Sequence, residues 1–212
     1  QIPLTALIGS NVISQMILQI IGQVCWALGI HPGFLTSATG PIMFGLDGMN
    51  QAAYAAGQPI PNIIGMAFSY SMTIAVLYPA FALAVLIFSK SNQLKTVGKI
   101  SIAPAFFGIS EPLMFGVPVV MNPFMAIPWI ISPTVNVLLG WLACSSGLVA
   151  RYAGVTVFNF PMGVTGILNG SFTIAILEVV VCIIDILIFM PFVRIQDKKY
   201  LAEEKAAAEA EQ

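Results

Sequence analysis

Two ionisable side chains occupy surroundings where charge is costly unless it is used. Glu111 is followed directly by Pro112 inside Ser101–Pro133, SIAPAFFGISEPLMFGVPVVMNPFMAIPWIISP, which is about as apolar as a membrane span. His31 is the only histidine and opens the Gly/Pro-rich run HPGFLTSATGP. A carboxylate can accept from two hydroxyls at once and can withdraw a proton from one of them, and an imidazole can donate or accept. An ionisable group at membrane depth is by default a functional-site hypothesis. The structural alternatives are equally concrete: Glu111 capping backbone donors at a break after Ile109, and His31 closing a helix end. Glu178 and Asp185, seven residues apart, share a helical face and read as a polar seam or as partners for Arg151 or another subunit. Cys25, Cys144 and Cys182 sit far apart in apolar runs without metal-ligand spacing, so packing is their expected role, and no metal or cofactor is expected.

The elements that must position these groups follow from composition and prolines. Hydrophobic residues make up 58% of the chain and charged residues 8%, against about 25% charged in a soluble domain. Only Asp47 is formally charged between Gln1 and Ser89. The expected fold class is therefore an all-α polytopic membrane protein in the cell membrane. Net charge of -1 gives no reason to expect a nucleic-acid partner. No basic start or cleavage site marks Gln1–Ile30 as a signal peptide, and the absence of an initiator Met suggests a chain that starts within something longer.

Four apolar spans are expected: Leu4–Ile30, Asn62–Phe88, Phe124–Val149 and Ile167–Phe192. Asn11, Gln15, Gln19 and Gln23 recur every four residues, a stripe that should face protein, either hydrogen-bonding a neighbouring helix or lining a polar cavity. His31–Pro61 looks too broken for a crossing helix and too apolar for a solvent loop, which predicts a re-entrant hairpin or irregular loop. In Ser101–Pro133, Pro104, Pro112, Pro118, Pro123 and Pro128 predict repeated breaks and a second re-entrant segment. Lysines 90, 95 and 99 in an expected short loop, and Arg194, Lys198 and Lys199 after the last span, place both ends in the cytoplasm. Two crossings then separate them, and the broken segments enter from opposite faces to meet near the midplane, as in many transporters. Residues 1–194 form the membrane domain, and residues 195–212 a solvated helical tail.

Gly108-Ile109-Ser110-Glu111-Pro112, Phe115-Gly116-Val117-Pro118, Asn122-Pro123 and Ile127-Pro128 resemble the signature of lactose/cellobiose-type (chitobiose-type) phosphotransferase IIC permeases of the glucose superfamily. Leu28-Gly29-Ile30-His31 is similar to the LGIH element of the same family, and the likeness runs from about Leu28 to Arg194. The chain departs from it where Leu77-Tyr78-Pro79-Ala80 replaces a glycine-rich element, where Met162 stands for a common tryptophan, and at Gly108 and Ser110, where relatives often carry asparagine. The resemblance implies the C-terminal, substrate-binding half of a permease that is dimeric in full-length form. Such a permease binds a disaccharide such as cellobiose, chitobiose or lactose. The sugar is phosphorylated by a cytoplasmic IIB protein that is charged through IIA. It maps Glu111 and His31 beside the sugar as the catalytic pair without saying which is the base, with Ser110, Asn122, Gly108 and Asn159 as substrate-binding neighbours. Phe107, Phe115 and Trp129 could supply ring faces. The rivals are a proton-coupled sugar transporter with Glu111 and His31 as relay, and a non-transporting subunit. Cysteines introduced at Lys95 and Arg151 of the full-length protein are expected to react from opposite membrane faces; same-side labelling would overturn this topology.

Overall fold

The computed structural model describes residues 11–210, and among these all regular structure is helical. Helix α1 (Val12–Ala27) starts where Asn11 Oδ1 accepts from the Ile13 amide at 2.9 Å. Helix α2 (Gly33–Ala55) runs through Pro41, and α3 (Met66–Phe88) contains Pro79. Residues Ser71–Ala75 of α3 form a π turn. That turn ends at the residue whose carbonyl Pro79 cannot bond, so the wider spiral absorbs what the proline would otherwise break. Helix α4 (Asn92–Phe106) is capped by Ser91, α5 (Glu111–Gly116) is under two turns, and α6 (Pro123–Ser145) begins at the Asn122 cap. A short α7 (Val164–Leu168) precedes the 39-residue α8 (Phe172–Ala210).

Several expectations change. His31–Pro61 is not mainly irregular: α2 is continuous for 23 residues, because one proline removes one ladder bond without ending a helix. The real break comes at Gly57, in the left-handed region at φ 65. The Lys90–Lys99 loop is the first half of α4, since Ser91 supplies an N-cap before Asn92. Ser101–Pro133 breaks twice, at residues 107–110 and 117–122, while Pro128 and Pro133 remain inside α6. Among the described residues three helices are long and apolar enough to span: α3, α6 and α8. The expected first span begins outside the described residues, and α1 is 16 residues long. The 194/195 boundary falls inside α8 without a break. Its tail is not wholly free, since Tyr200 is buried and Glu204 accepts from the Gln93 amide at 3.1 Å.

Helix α3 lies at the centre, packed on α4 and α8, while α1 lies along α6. Phe81 stacks on Phe189 at 4.4 Å between ring centres, and Trp129 stacks on Tyr78 at 5.7 Å. A second apolar cluster gathers Phe68, Met72, Val137 and Tyr152.

Three buried carboxylates tie this frame together, each reaching from one helix to the N-terminal end of another. Asp47 of α2 accepts from the Ala67 amide (2.9 Å) and the Thr156 hydroxyl (2.7 Å) at the start of α3. Asp197 of α8 accepts from the amides of Lys90 and Ser91, each at 2.9 Å, ahead of α4. Glu178 of α8, 0% exposed, accepts from Ser71 in the π turn, from the Gly163 amide before α7, and from Thr165 within it. Neither carboxylate of the expected pair Glu178 and Asp185 meets Arg151: Asp185 takes the Asn136 amide at 2.7 Å, and Arg151 donates to the carbonyls of Ile60 and Pro61. Truncating Glu178 orphans three donors, each costing about 1–3 kcal/mol when buried. Glu178→Ala is thus expected to lower the thermal midpoint of the full-length protein in detergent by more than about 5 °C. Glu209→Ala on the exposed tail should leave it unchanged.

Candidate functional site

The amide stripe of α1 faces a cleft of about 190 Å³ bounded by α1, α2 and α3. Gln15, Gln19 and Gln23 line it from α1, Thr36 and Thr39 from α2, and Ser69, Tyr70, Thr73 and Tyr78 from α3. The two uses foreseen for the stripe coexist: Gln15 donates to Ser69 at 2.8 Å, yet its carbonyl oxygen and that of Gln23 have no protein partner. Buried acceptors without partners beside a polar cavity are groups that a hydroxyl-bearing ligand can satisfy. Trp26 forms one wall, and Phe158 closes another with its ring edge-on to Tyr70 at 5.2 Å.

His31 stands exposed at the Trp26 end, its ring edge-on to the indole at 4.7 Å. Its Nδ1 accepts from the Gly33 amide at 3.0 Å, the first helical residue of α2. The helix-end role and the site role are therefore compatible. With Nδ1 accepting, the neutral ring carries its proton on Nε2, which remains free to donate.

The proline-rich stretch approaches the same cleft from the Tyr70 and Tyr78 side. Ser110 is buried and lies near the Tyr78 phenol, with Glu111 following it at the start of α5. Gly108, at φ 76, lies against Tyr70 so closely that a Cβ there would sit 2.9 Å from its hydroxyl. The Asn159 amide donates to the same hydroxyl at 2.7 Å, and Asn159 takes a left-handed backbone with φ 61. Asn122 is placed differently: its Oδ1 accepts from the Phe124 and Met125 amides at 3.1 and 3.3 Å, so that oxygen caps α6. Glu111 is exposed, not enclosed as the apolar context suggests. As the first residue of α5 it finds favourable partial charge at a helix N-terminus without burial. Of the possible ring faces, Phe107 and Phe115 are exposed while Trp129 is core.

The break before α6 touches the end of α1. The Met121 amide donates to the Ala27 carbonyl at 2.8 Å, joining the break before α6 to the end of α1 three residues from Ile30. Met121 adopts φ 58, a left-handed conformation costing a non-glycine residue about 1–2 kcal/mol. The break before α6 is thereby joined to the end of α1, just ahead of the LGIH residues.

The profile described as "Phosphotransferase system, EIIC" matches residues 2–133. The chain belongs to this family. It is 37% identical to the oligo-beta-mannoside-specific EIIC component of Bacillus subtilis (strain 168), over 98% of this chain and 48% of that protein. It is 34% identical to the cellobiose-specific EIIC component of Geobacillus stearothermophilus, over 96% of this chain and 47% of the relative. The crystal structure of the transporter ChbC, the IIC component of the N,N'-diacetylchitobiose-specific phosphotransferase system, superposes with a TM-score of 0.91 at 36% identity, covering 96% of this chain and 48% of that one. The chain spans about half the length of the curated relatives it matches. Within this EIIC chain, Tyr78 from the departing LYPA segment lines the cleft, and Met162 packs against the second apolar cluster.

Trp26, Tyr70, Tyr78 and the cleft threonines are not singled out by sequence. Each sits in an ordinary-looking apolar helix, and only the fourfold glutamine period of α1 points toward the face they share. Filling the cleft tests its role. Thr36→Trp in the full-length protein is expected to abolish the heat protection given by disaccharides, while the unliganded midpoint stays within about 2 °C because Thr36 is exposed.

Proposed function

We propose that this chain is the sugar-binding membrane segment of a phosphotransferase EIIC permease for a β-linked disaccharide or similar oligosaccharide. The observation that supports this reading is the polar cleft lined by Gln15, Gln19, Gln23, Trp26, Tyr70 and Tyr78, with the His31 ring against Trp26 and Gly108 against Tyr70. A sugar needs donors and acceptors for hydroxyls on an apolar frame with rings for its faces. The unpartnered glutamine oxygens, the cleft threonines, Trp26 and the two tyrosines are of that kind. The names of the relatives, oligo-beta-mannoside, cellobiose and N,N'-diacetylchitobiose, support the substrate class.

Glu111 and His31 divide the chemistry in this reading. The Gly33 amide occupies His31 Nδ1, leaving Nε2–H as a donor that holds a sugar hydroxyl. Glu111 is acceptor only when ionised and serves as the base that takes the proton from the hydroxyl as phosphate arrives. Ser110 and Gly108 position the carboxylate and the approach to Tyr70, Asn159 meets the same Tyr70 hydroxyl beside Gly108, and Asn122 holds the α6 start. The phosphoryl donor is a cytoplasmic IIB protein supplied by IIA. Helices α3, α6 and α8 cross the bilayer, the two broken stretches re-enter from opposite faces, residues 195–212 form the cytoplasmic tail, and the full-length permease is a homodimer.

Glu111→Gln in the full-length permease is expected to reduce phosphoenolpyruvate-dependent uptake at least 100-fold, whereas His31→Gln, which keeps a donor amide, retains measurable uptake. Equal losses in the two variants would remove the division of roles. Accumulation of unphosphorylated sugar without phosphoenolpyruvate would replace the phosphotransferase reading with proton-coupled transport.

A further inference from the structure

A second pocket, about 420 Å³, lies at the other end of α3, outside the sugar cleft. Lys90, Arg194 and Lys198 surround it, and Ile87, Phe88 and Leu201 supply apolar wall. Lys90, Arg194 and Lys198 are all exposed, and so is Ile87 at 59%. The anion that also borders the pocket, Asp197, is 4% exposed and already engaged: its oxygens accept from the Lys90 and Ser91 amides and, at 2.7 Å, from the Ser91 hydroxyl. Asp197 therefore has little capacity left to pair with the three cations. The Arg194 guanidinium lies over the Phe88 ring, 4.9 Å from its centre, which holds the charge at the pocket instead of letting it swing into solvent.

The position of the pocket along the helices narrows the ligand. Phe88 ends α3, an apolar span, and Arg194 comes directly after the last apolar turn of α8, Pro191-Phe192-Val193. Cations at the end of two spans, beside exposed Ile87 in the last turn of α3, sit at the level of lipid headgroups with acyl chains below them. A free anion would use the cations alone and leave the apolar wall exposed. An amphiphile uses both.

We infer that this pocket binds the phosphate of an anionic glycerophospholipid, with the glycerol and upper acyl chains against Ile87 and Phe88. Basic pockets between transmembrane helix ends are suited to such headgroups, each cation near the surface contributing about 1 kcal/mol. The bound lipid bridges the α3–α4 connection to α8, the same joint that Asp197 clamps from inside. The site is independent of the sugar reading, since none of its residues lines the cleft.

The test uses the full-length protein, delipidated in a neutral detergent, with lipid retention followed by native mass spectrometry and by thermal unfolding. Phosphatidylglycerol is expected to bind and raise the midpoint, and phosphatidylcholine to do neither. Removing two cations in Arg194→Gln/Lys198→Gln should weaken phosphatidylglycerol binding roughly tenfold to thirtyfold, while Lys205→Gln, on the exposed tail outside the pocket, leaves it unchanged. Should the double variant fold poorly, Lys198→Glu alone serves, because that side chain is exposed and its reversal should also abolish selectivity for the anionic lipid. Equal retention of both lipids, unchanged affinity in the pocket variants, or displacement of the lipid by millimolar inorganic phosphate with the same midpoint shift would each overturn the proposal, the last by making free phosphate the ligand.

Discussion

Where a helix starts inside an apolar protein, its first amides have no partner within the helix and no water to turn to. This fold meets that demand across helices. Helices α3 and α7 begin at Gly65 and Gly163, which offer no capping side chain, and it is Asp47 and Glu178, distant in sequence, that accept from their amides. Asp197 does the same ahead of α4 alongside the local Ser91 cap. Each carboxylate thus does two things at once: it satisfies broken backbone and fixes the angle at which one helix leaves another. Because the positive end of the helix dipole meets a negative charge, the pairing offsets part of the cost of burying the acid.

The same constraint explains the placement of the breaks. Prolines mark where a helix lacks a donor, but whether it ends there depends on the packing and backbone of the neighbouring residues. Pro128 and Pro133 lie buried inside α6 without ending it, and Pro79 is carried by the π turn to which Glu178 is bonded through Ser71. True breaks occur where glycine supplies a left-handed residue, at Gly29, Gly57 and Gly108, or where a partner compels one, as at Met121 with its bond to Ala27. Counting prolines therefore overstates the irregularity of His31–Pro61, whose helix survives Pro41 and ends only ahead of Gly57.

Much of the site is legible because its carriers are rare residue types in a monotonous background. A lone histidine, an acid before proline and a fourfold glutamine period stand out where nearly everything else is apolar, and the IIC motif around Glu111 points to the family from residues alone. The parts that stay dark in the sequence do so for geometric reasons. Nothing local in Tyr70 or Tyr78 distinguishes a cleft-lining phenol from a core one, and Tyr78 in fact does both, stacking on buried Trp129 while meeting Ser110. The accessibility of Glu111 is hidden because hydropathy averages a window, whereas a two-turn helix can present its first residue outward while Leu113 and Met114 point into the core at 0% exposure.

Division of labour between scaffold and chemistry emerges from the fate of each polar group. Side chains whose hydrogen bonds run to backbone in adjoining elements, namely Asn50, Asn122 and Asn169, hold loops in place. Side chains facing the cleft keep spare valence: Gln15 and Gln23 each leave an oxygen unpaired, and His31 keeps Nε2 free after its Nδ1 is taken. An unpaired buried acceptor costs about 1–3 kcal/mol in the empty state; Asn136 and Asp185 also leave an oxygen unpaired in the core, but the two glutamines border the cavity, where a ligand's hydroxyls would recover that energy. Rigid carboxylate clamps at the helix starts and unsatisfied amides along α1 are thus complementary halves of one arrangement: the first hold the walls of the cleft apart, and the second make filling it favourable.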